Sequence, residues 1–270
     1  MTLLGISTGA LLNKWNLDCL LAFEPDVVEF YNYPSSALPQ IRSFCLQNQI
    51  QPALHTPVPC DEQFRYFMPT GPDPELAIKA LHMAETTILC ALELNARHVV
   101  VHFPSPTSKG IQNRDFAVRR FLDPLARLAE DVGVQVLIEN LSPNPDFYTP
   151  EHYKEILDDY PVFDFCLDLG HAHLLNPTCT IEGFIQTLTT KIRSVHVYNT
   201  TIIRYARYKH ESVHPEQQPQ VGWLDVPNSI SLLRQFSNPD VIILEPHPLE
   251  LCQIQPAVEG INWLRRLLSM

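Results

Sequence analysis

Short β-rich runs alternate with longer helical stretches along the chain, and this alternation most restricts the folds open to it. The runs are LLGIST (3–8), VVEFY (27–31), PALHTP (52–57), HVVVHF (98–103), VQVLIEN (134–140), FDFCLDL (163–169), IRSVHVYN (192–199) and VIILEP (241–246). Amphipathic helices are expected between them, among others over 75–94, 114–132, 150–159, 226–236 and 256–268. Parallel strands need crossover connections, which helices supply. Eight strand-then-helix units therefore predict an α/β fold, a single (β/α)8 TIM barrel. With 45% hydrophobic and 18% charged residues there is material for one large core, and the 270 residues are read as one domain, 1–270.

Parity within the strands says more than their number. Neighbouring residues in a strand face opposite sides. Leu54 opposes His55; Val99 and Val101 oppose His102; Val136 and Ile138 oppose Glu139. Phe165 and Leu167 oppose Asp168, Val195 and Val197 oppose His196, and Ile242 and Leu244 oppose Glu245. The apolar set is expected against the outer helices. The polar set is expected to point into the barrel near the strands' C-terminal ends, where barrel enzymes place their chemistry. Three carboxylates and three imidazoles would then share one cavity. Without a cation the carboxylates would repel and take up protons. A divalent metal resolves the conflict, and mixed N/O donors suit zinc, manganese, iron or cobalt better than calcium.

In this order, LHTP (54–57), VVVHFP (99–104), LIEN (137–140), CLDLGHA (166–172), SVHVYNT (194–200) and ILEP (243–246) carry a resemblance. Over roughly residues 50–250 the chain resembles the xylose-isomerase-like superfamily of TIM barrels, which includes the AP endonuclease family 2 and many sugar isomerases and epimerases. The resemblance implies a metal held by Glu139, Asp168, His196 and Glu245. The endonuclease branch adds a second metal on two histidines, matched by His55 and His102. It also carries a third site, whose first histidine is matched by His171. The later Asp-x-His is degraded: His210 or His214 stands for the His, and Ser212 sits where an Asp is wanted. In the epimerase branch His171 would touch a substrate oxygen.

Two reactions fit these residues. An isomerase or epimerase of a sugar, sugar phosphate or related hydroxy-carbonyl compound would use zinc or manganese, with cobalt, iron or magnesium as alternatives. It would pass through a metal-stabilised enediolate, with Glu139 and Glu245 as the proton-transfer pair. The alternative is a zinc-dependent phosphodiesterase using a second metal on His55, His102 and a bridging Glu139. It would act on a small phosphodiester such as a cobamide nucleotide loop rather than abasic DNA. A binding barrel without catalysis is a third reading, opposed by the filled ligand positions.

Two long connections should emerge on the catalytic face: 58–74, with Phe64, Tyr66 and Phe67 suited to a lid, and 201–223. The second holds Arg204, Arg207, Lys209, His210 and His214, and phosphate capture by Arg204 and Arg207 is expected there. Asn140 and Asn199 are candidates to orient water or substrate, and Gly170 is read as allowing a sharp turn after the strand. His98 is read as structural or exposed, and His247 as close to the site. The partner is a small molecule, phosphorylated in one version. Nineteen basic against thirty acidic residues, a formal charge of −11, speak against a nucleic-acid binder. No apolar run approaches the ~20 residues of a membrane span. The first residues read as a strand rather than a signal peptide, and seven irregularly spaced cysteines suit reduced thiols in the cytoplasm.

Overall fold

In the computed structural model, which describes residues 2–60, 67–105, 113–141, 149–175 and 179–269, the eight strands close in chain order. They are β1 (Leu3–Ser7), β2 (Val27–Tyr31), β3 (Gln51–His55), β4 (Val99–His102), β5 (Val136–Glu139), β6 (Phe163–Asp168), β7 (Ile192–Val197) and β8 (Val241–Leu244). Each lies parallel to its neighbours, and β8 pairs with β1 to complete a (β/α)8 barrel. The surrounding helices are α1 (Leu38–Asn48), α2 (Pro74–Leu94), α3 (Arg114–Val132), α4 (Pro150–Asp159), α5 (Leu169–Leu174), α6 (Ile181–Leu188), α7 (Ile202–Tyr208), α8 (Val226–Phe236) and α9 (Leu251–Ser269). No helix among the described residues is long and apolar enough to cross a membrane.

Local chemistry explains several boundaries. Asp73, Thr149 and Asp225 each cap a helix that carries proline in its first two positions, and their side chains accept backbone N–H groups of the first turn. That pairing of an oxygen cap with an early proline satisfies donors the helix cannot. α7 lies within a stretch expected to be loop. Thr201 caps it by accepting from Arg204 N, a short signal hidden among basic and β-branched residues.

The two faces of each strand separate as parity predicts. Ile6, Val28, Phe30, Leu54, Val101, Ile138, Phe165, Leu167, Val195, Val197, Ile242 and Leu244 join one large outer core with the helices. Val27, Ala53, Val241 and Ile243 form a separate plug inside the barrel, and Val100, Leu137 and Cys166 another. In β7 the parity changes partway. Phe165 faces Ile192 but Cys166 faces Ser194, so Arg193 is passed over in the register. Ile192 and Val195 can therefore both point outward although they are three apart, and His196 comes level with Asp168.

Gly170 has a different role from the one read in the sequence. It sits in α5 with the ring of Tyr198 against its Cα, and a Cβ there would overlap that ring. Close packing excludes a side chain; no turn requires the glycine. Gly260 in α9 likewise lies against the carbonyl of Val213, which seats the long β7–α8 connection on that helix.

Gly170→Ala is expected to cost about 1–3 kcal/mol, the usual range for overpacking. Urea unfolding of the variant beside wild type measures it, and an unchanged midpoint would contradict the contact.

Candidate active site

At the C-terminal mouth of the barrel, one carboxylate gathers three histidines from three strands. Glu139 ends β5 and is fully buried. Its Oε2 lies 3.1 Å from His55 Nε2 and 3.0 Å from His102 Nε2, and its Oε1 lies 3.2 Å from His196 Nδ1. Glu245, just past β8, stands with Oε2 3.7 Å from His196 Nδ1. Asp168 closes the group. Donor atoms of Glu139, Asp168, His196 and Glu245 all lie within 4.8 Å of one another, as do those of His55, His102 and Glu139. The six strand-end residues singled out by parity are thus brought together.

Several ligand candidates are oriented by a neighbour. His55 Nδ1 faces the Thr56 carbonyl at 3.1 Å, which leaves Nε2 for the centre. Asn140 clamps the backbone of Asp168: its Nδ2 donates to Asp168 O (2.9 Å) and its Oδ1 accepts from Asp168 N (2.8 Å). Asn140 is therefore committed to the scaffold, not to substrate. Asp168 Oδ1 accepts from His171 N at 2.6 Å and so caps α5. Asp168 Oδ2 is buried and takes no hydrogen bond among the described residues, although His171 Nδ1 stands 3.3 Å away. His171 Nδ1 also faces the Asn140 carbonyl at 3.1 Å. One residue went unnoticed in the sequence, and His98, read as structural or exposed, proves buried beside it. Glu29, in the middle of β2, is fully buried beside His196, whose Nε2 lies 3.1 Å from its Oε1. His98 is buried below it with Nε2 3.6 Å from Glu29 Oε2.

Charge in this space is unevenly shared. Burial disfavours the charged form of Glu139, but His102 and His196 outweigh it and hold the carboxyl well below its usual range. Burial, with the Glu139 charge adding to it, drives Asp168 well above the ordinary carboxylate value. Glu245 is pushed up to about 7 by burial, opposed by His196 and assisted by Glu139 and Asp168. His55 rises to about 9 because the hydrogen bond and charge of Glu139 overcome the effect of burial. Proton retention on Asp168, Glu245 and His55 is thus favoured in this acidic cluster. The orphaned Asp168 oxygen and the mixed carboxylate–imidazole donors fit a divalent cation.

A cavity of about 520 Å³ opens above this floor, walled by Lys14, Tyr31, His55, His102, His171, Tyr205, Lys209, His210, Glu245 and His247, among others. A larger one of about 670 Å³, between the Ile41–Ile50 and Glu93–Arg97 regions, contains none of these groups. His210 belongs to the upper site. Its ring stacks on Tyr198 at 3.7 Å, and its Nδ1 lies 3.1 Å from the Glu245 carbonyl. Burial, with His171 and His247 nearby, lowers its pKa to about 3. Asn199 secures the loop: it exchanges backbone hydrogen bonds with Glu211, and its side chain engages Thr200, Gln217 and Leu224.

Other expectations for this loop need correction. His214 faces Glu259 and Glu216, outside the cavity wall. Arg204 grips Glu211 with Nε at 2.7 Å and Nη2 at 2.6 Å, and lies over Tyr208 and Trp223. Arg207 packs over Tyr208. Neither arginine lines the cavity, because the aromatic rings and Glu211 of their own segment turn them aside. Among the described residues, Lys14 and Lys209 are the cations that do. Of the aromatic lid candidates, Phe64 and Tyr66 fall outside the described residues, and Phe67 packs against Phe121.

Known proteins of the same shape include a D-tagatose 3-epimerase-like protein, 17% identical over 99% of this chain and 97% of its own, with a TM-score of 0.76. An L-ribulose 3-epimerase is 14% identical over 100% and 95%, with a TM-score of 0.77. The IOLI protein with a bound zinc atom is 16% identical over 99% and 98%, with a TM-score of 0.70. At such identities the likeness shows the fold alone. An uncharacterised protein of Methanocaldococcus jannaschii is 25% identical over 125 residues, 44% of this chain, and the match spans about half of that relative, 47%. The family model of the xylose isomerase-like TIM barrel matches residues 17–267, and the chain belongs to that family, known also as AP endonuclease family 2.

Proposed function

We propose that this chain is a divalent-metal-dependent isomerase or epimerase acting on a sugar, sugar phosphate or related hydroxy-carbonyl compound. The carrying observation is the convergence of Glu139, Asp168, His196 and Glu245 beneath a cavity of about 520 Å³. The similarity in fold to sugar 3-epimerases supports the same reading. These four residues would hold the metal, with zinc or manganese the best match to their donors. When bound, it supplies Lewis-acid polarisation of substrate oxygens.

The protein's own groups carry the rest of the reaction. Glu139 and Glu245 arise from strands that are not adjacent, so their carboxylates can flank a bound substrate. One removes a proton from the carbon beside the carbonyl, and the bonding pair moves toward the carbonyl oxygen. The other returns a proton to the opposite face of that carbon, giving epimerisation, or to the former carbonyl carbon while the hydroxyl proton passes between the two oxygens, giving isomerisation. His171 and His210 supply neutral imidazoles for a substrate hydroxyl; burial lowers both pKa values. Lys14 and Lys209 would take an acidic substituent such as a phosphate at the mouth.

A second reading is a zinc phosphodiesterase, favoured by the His55–His102–Glu139 cluster. Metal analysis separates the two: one ion per chain fits the isomerase, and two or more zinc ions with phosphodiester cleavage fit the alternative.

Glu139→Gln should lower solvent-deuterium uptake into substrate by about 10²–10⁴-fold while metal stays bound, and uptake at the wild-type rate would remove Glu139 from proton transfer. Lys209→Met should raise KM for a phosphorylated ketose and leave that for the neutral ketose unchanged. Equal effects on both would dismiss the anion subsite.

pH provides a third test, with the sign set by the raised groups. Protonated His55 stabilises the metal-free fold below its ordinary 6.5, and that contribution is lost as pH rises through about 9. Ionising Glu245 in the fold adds a cost that grows from its ordinary 4.5 to about 7. Both effects weaken the metal-free protein as pH rises across this window, while metal binding displaces the same protons. The Tm difference between metal-loaded and metal-free protein should therefore widen from pH 5 to 9; a constant difference would contradict the cation site.

A further inference from the structure

We infer that Glu29 is a positioning residue that fixes which nitrogen of His196 faces the metal. The inference rests on the metal reading of Glu139, Asp168, His196 and Glu245 and extends it one layer down into the barrel. His196 presents its two ring nitrogens to two different environments. Nδ1 looks upward, 3.2 Å from Glu139 Oε1 and 3.7 Å from Glu245 Oε2. Nε2 looks downward at Glu29 and shares a hydrogen bond with Oε2 at 3.3 Å, while Oε1, 3.1 Å away, takes no hydrogen bond among the described residues. A neutral imidazole has one donor nitrogen and one acceptor nitrogen. Holding the proton on Nε2 leaves the Nδ1 lone pair aimed at the metal.

The surroundings of Glu29 argue that it serves this contact. Its side chain is fully buried inside the barrel, on the same strand as Val27 of the apolar plug. A carboxylate in such a place is costly unless paired. His196 supplies its close contact, and His98, buried and 3.6 Å from Oε2, borders it from β4's entry. Glu29 is removed from the cavity wall, so it does not meet substrate. A carboxylate behind a metal-ligating histidine fixes the ring's tautomer and orientation and raises its basicity, and loss of such a partner typically lowers metal affinity about 10–100-fold.

Glu29 is also near enough to His55, His196 and Glu245 to join them as a direct ligand. Glu29 meets the Nε2 side of His196 whereas Glu139 and Glu245 meet its Nδ1 side, which favours the positioning role. Zinc affinity measured by chelator competition in wild type, Glu29→Gln and Glu29→Leu tests the inference, with the visible spectrum of the cobalt-loaded proteins as a second readout. Gln keeps an acceptor for the Nε2 proton and loses the charge, so its affinity should fall about 10-fold; Leu loses both, and its affinity should fall about 100-fold. The cobalt bands should keep their positions, because the ligand set is unchanged. In zinc-loaded wild type, nitrogen NMR should find His196 protonated on Nε2.

Wild-type zinc affinity in Glu29→Gln, the isosteric variant, would overturn the inference, whether or not Glu29→Leu folds. A changed cobalt spectrum in that variant would overturn it in favour of direct ligation. Wild-type protein that takes up neither zinc nor cobalt would instead overturn the metal reading itself.

Discussion

Glu139 cannot stand unpaired where it is. A carboxylate removed from water is stable only with charged or hydrogen-bonding partners close by. Here they come from β3, β4 and β7 as His55, His102 and His196. That arrangement ties both sides of the barrel mouth to one acidic group. Its cost falls on its neighbours. Burial first, and then the Glu139 charge, favour the protonated forms of Asp168 and Glu245, which His196 only partly opposes. A cation is the physical remedy for such a surplus, and the donor types present are those that intermediate divalent metals accept.

The scaffold is rigid where that remedy must be held. Asp168 ends a strand, and its backbone is doubly bonded to the Asn140 side chain. His55 is turned by the Thr56 carbonyl, and His196 is braced from below by Glu29. Donor groups carried on strands and fixed by neighbouring hydrogen bonds are held in place by the fold itself. The loop residues are anchored differently. His210 reaches the site because Glu211 pairs with Asn199, Gly260 admits the Val213 carbonyl, and Tyr198 offers its ring as a platform. Gly170 leaves room for that ring. Gly170 beneath Tyr198 and Gly260 beneath Val213 therefore help position a loop histidine far from both glycines in sequence.

The −11 net charge and the composition of the cavity wall point to different surroundings. The chain as a whole carries an excess of acidic residues, whereas the mouth of its cavity carries Lys14, Lys209 and several imidazoles over an acidic floor. A small anionic substituent can enter such a space without the long basic surface that nucleic acid requires.

Alternation with a period of two was enough to expose the barrel and six of its inward groups, because strand geometry forces opposite faces whatever the rest of the molecule does. It did not reveal Glu29, which lies mid-strand in VVEFY, where a charge resembles an exposed position until barrel closure buries it. Nor did it reveal the register shift at Arg193, since a passed-over residue shows only against a paired strand. Arg204 and Arg207 looked like phosphate ligands because sequence records that cations are near the site, not which way they turn. Glu211, Tyr208 and Trp223 decided that direction. His210 and His214 were equivalent as letters and were separated by the loop's anchors. The sequence by itself determined the fold and the strand-borne centre, both of which follow from local geometry repeated eight times. Tertiary structure alone decided the loop contacts and the layer beneath the centre, because they depend on groups far apart in the chain meeting across a closed barrel.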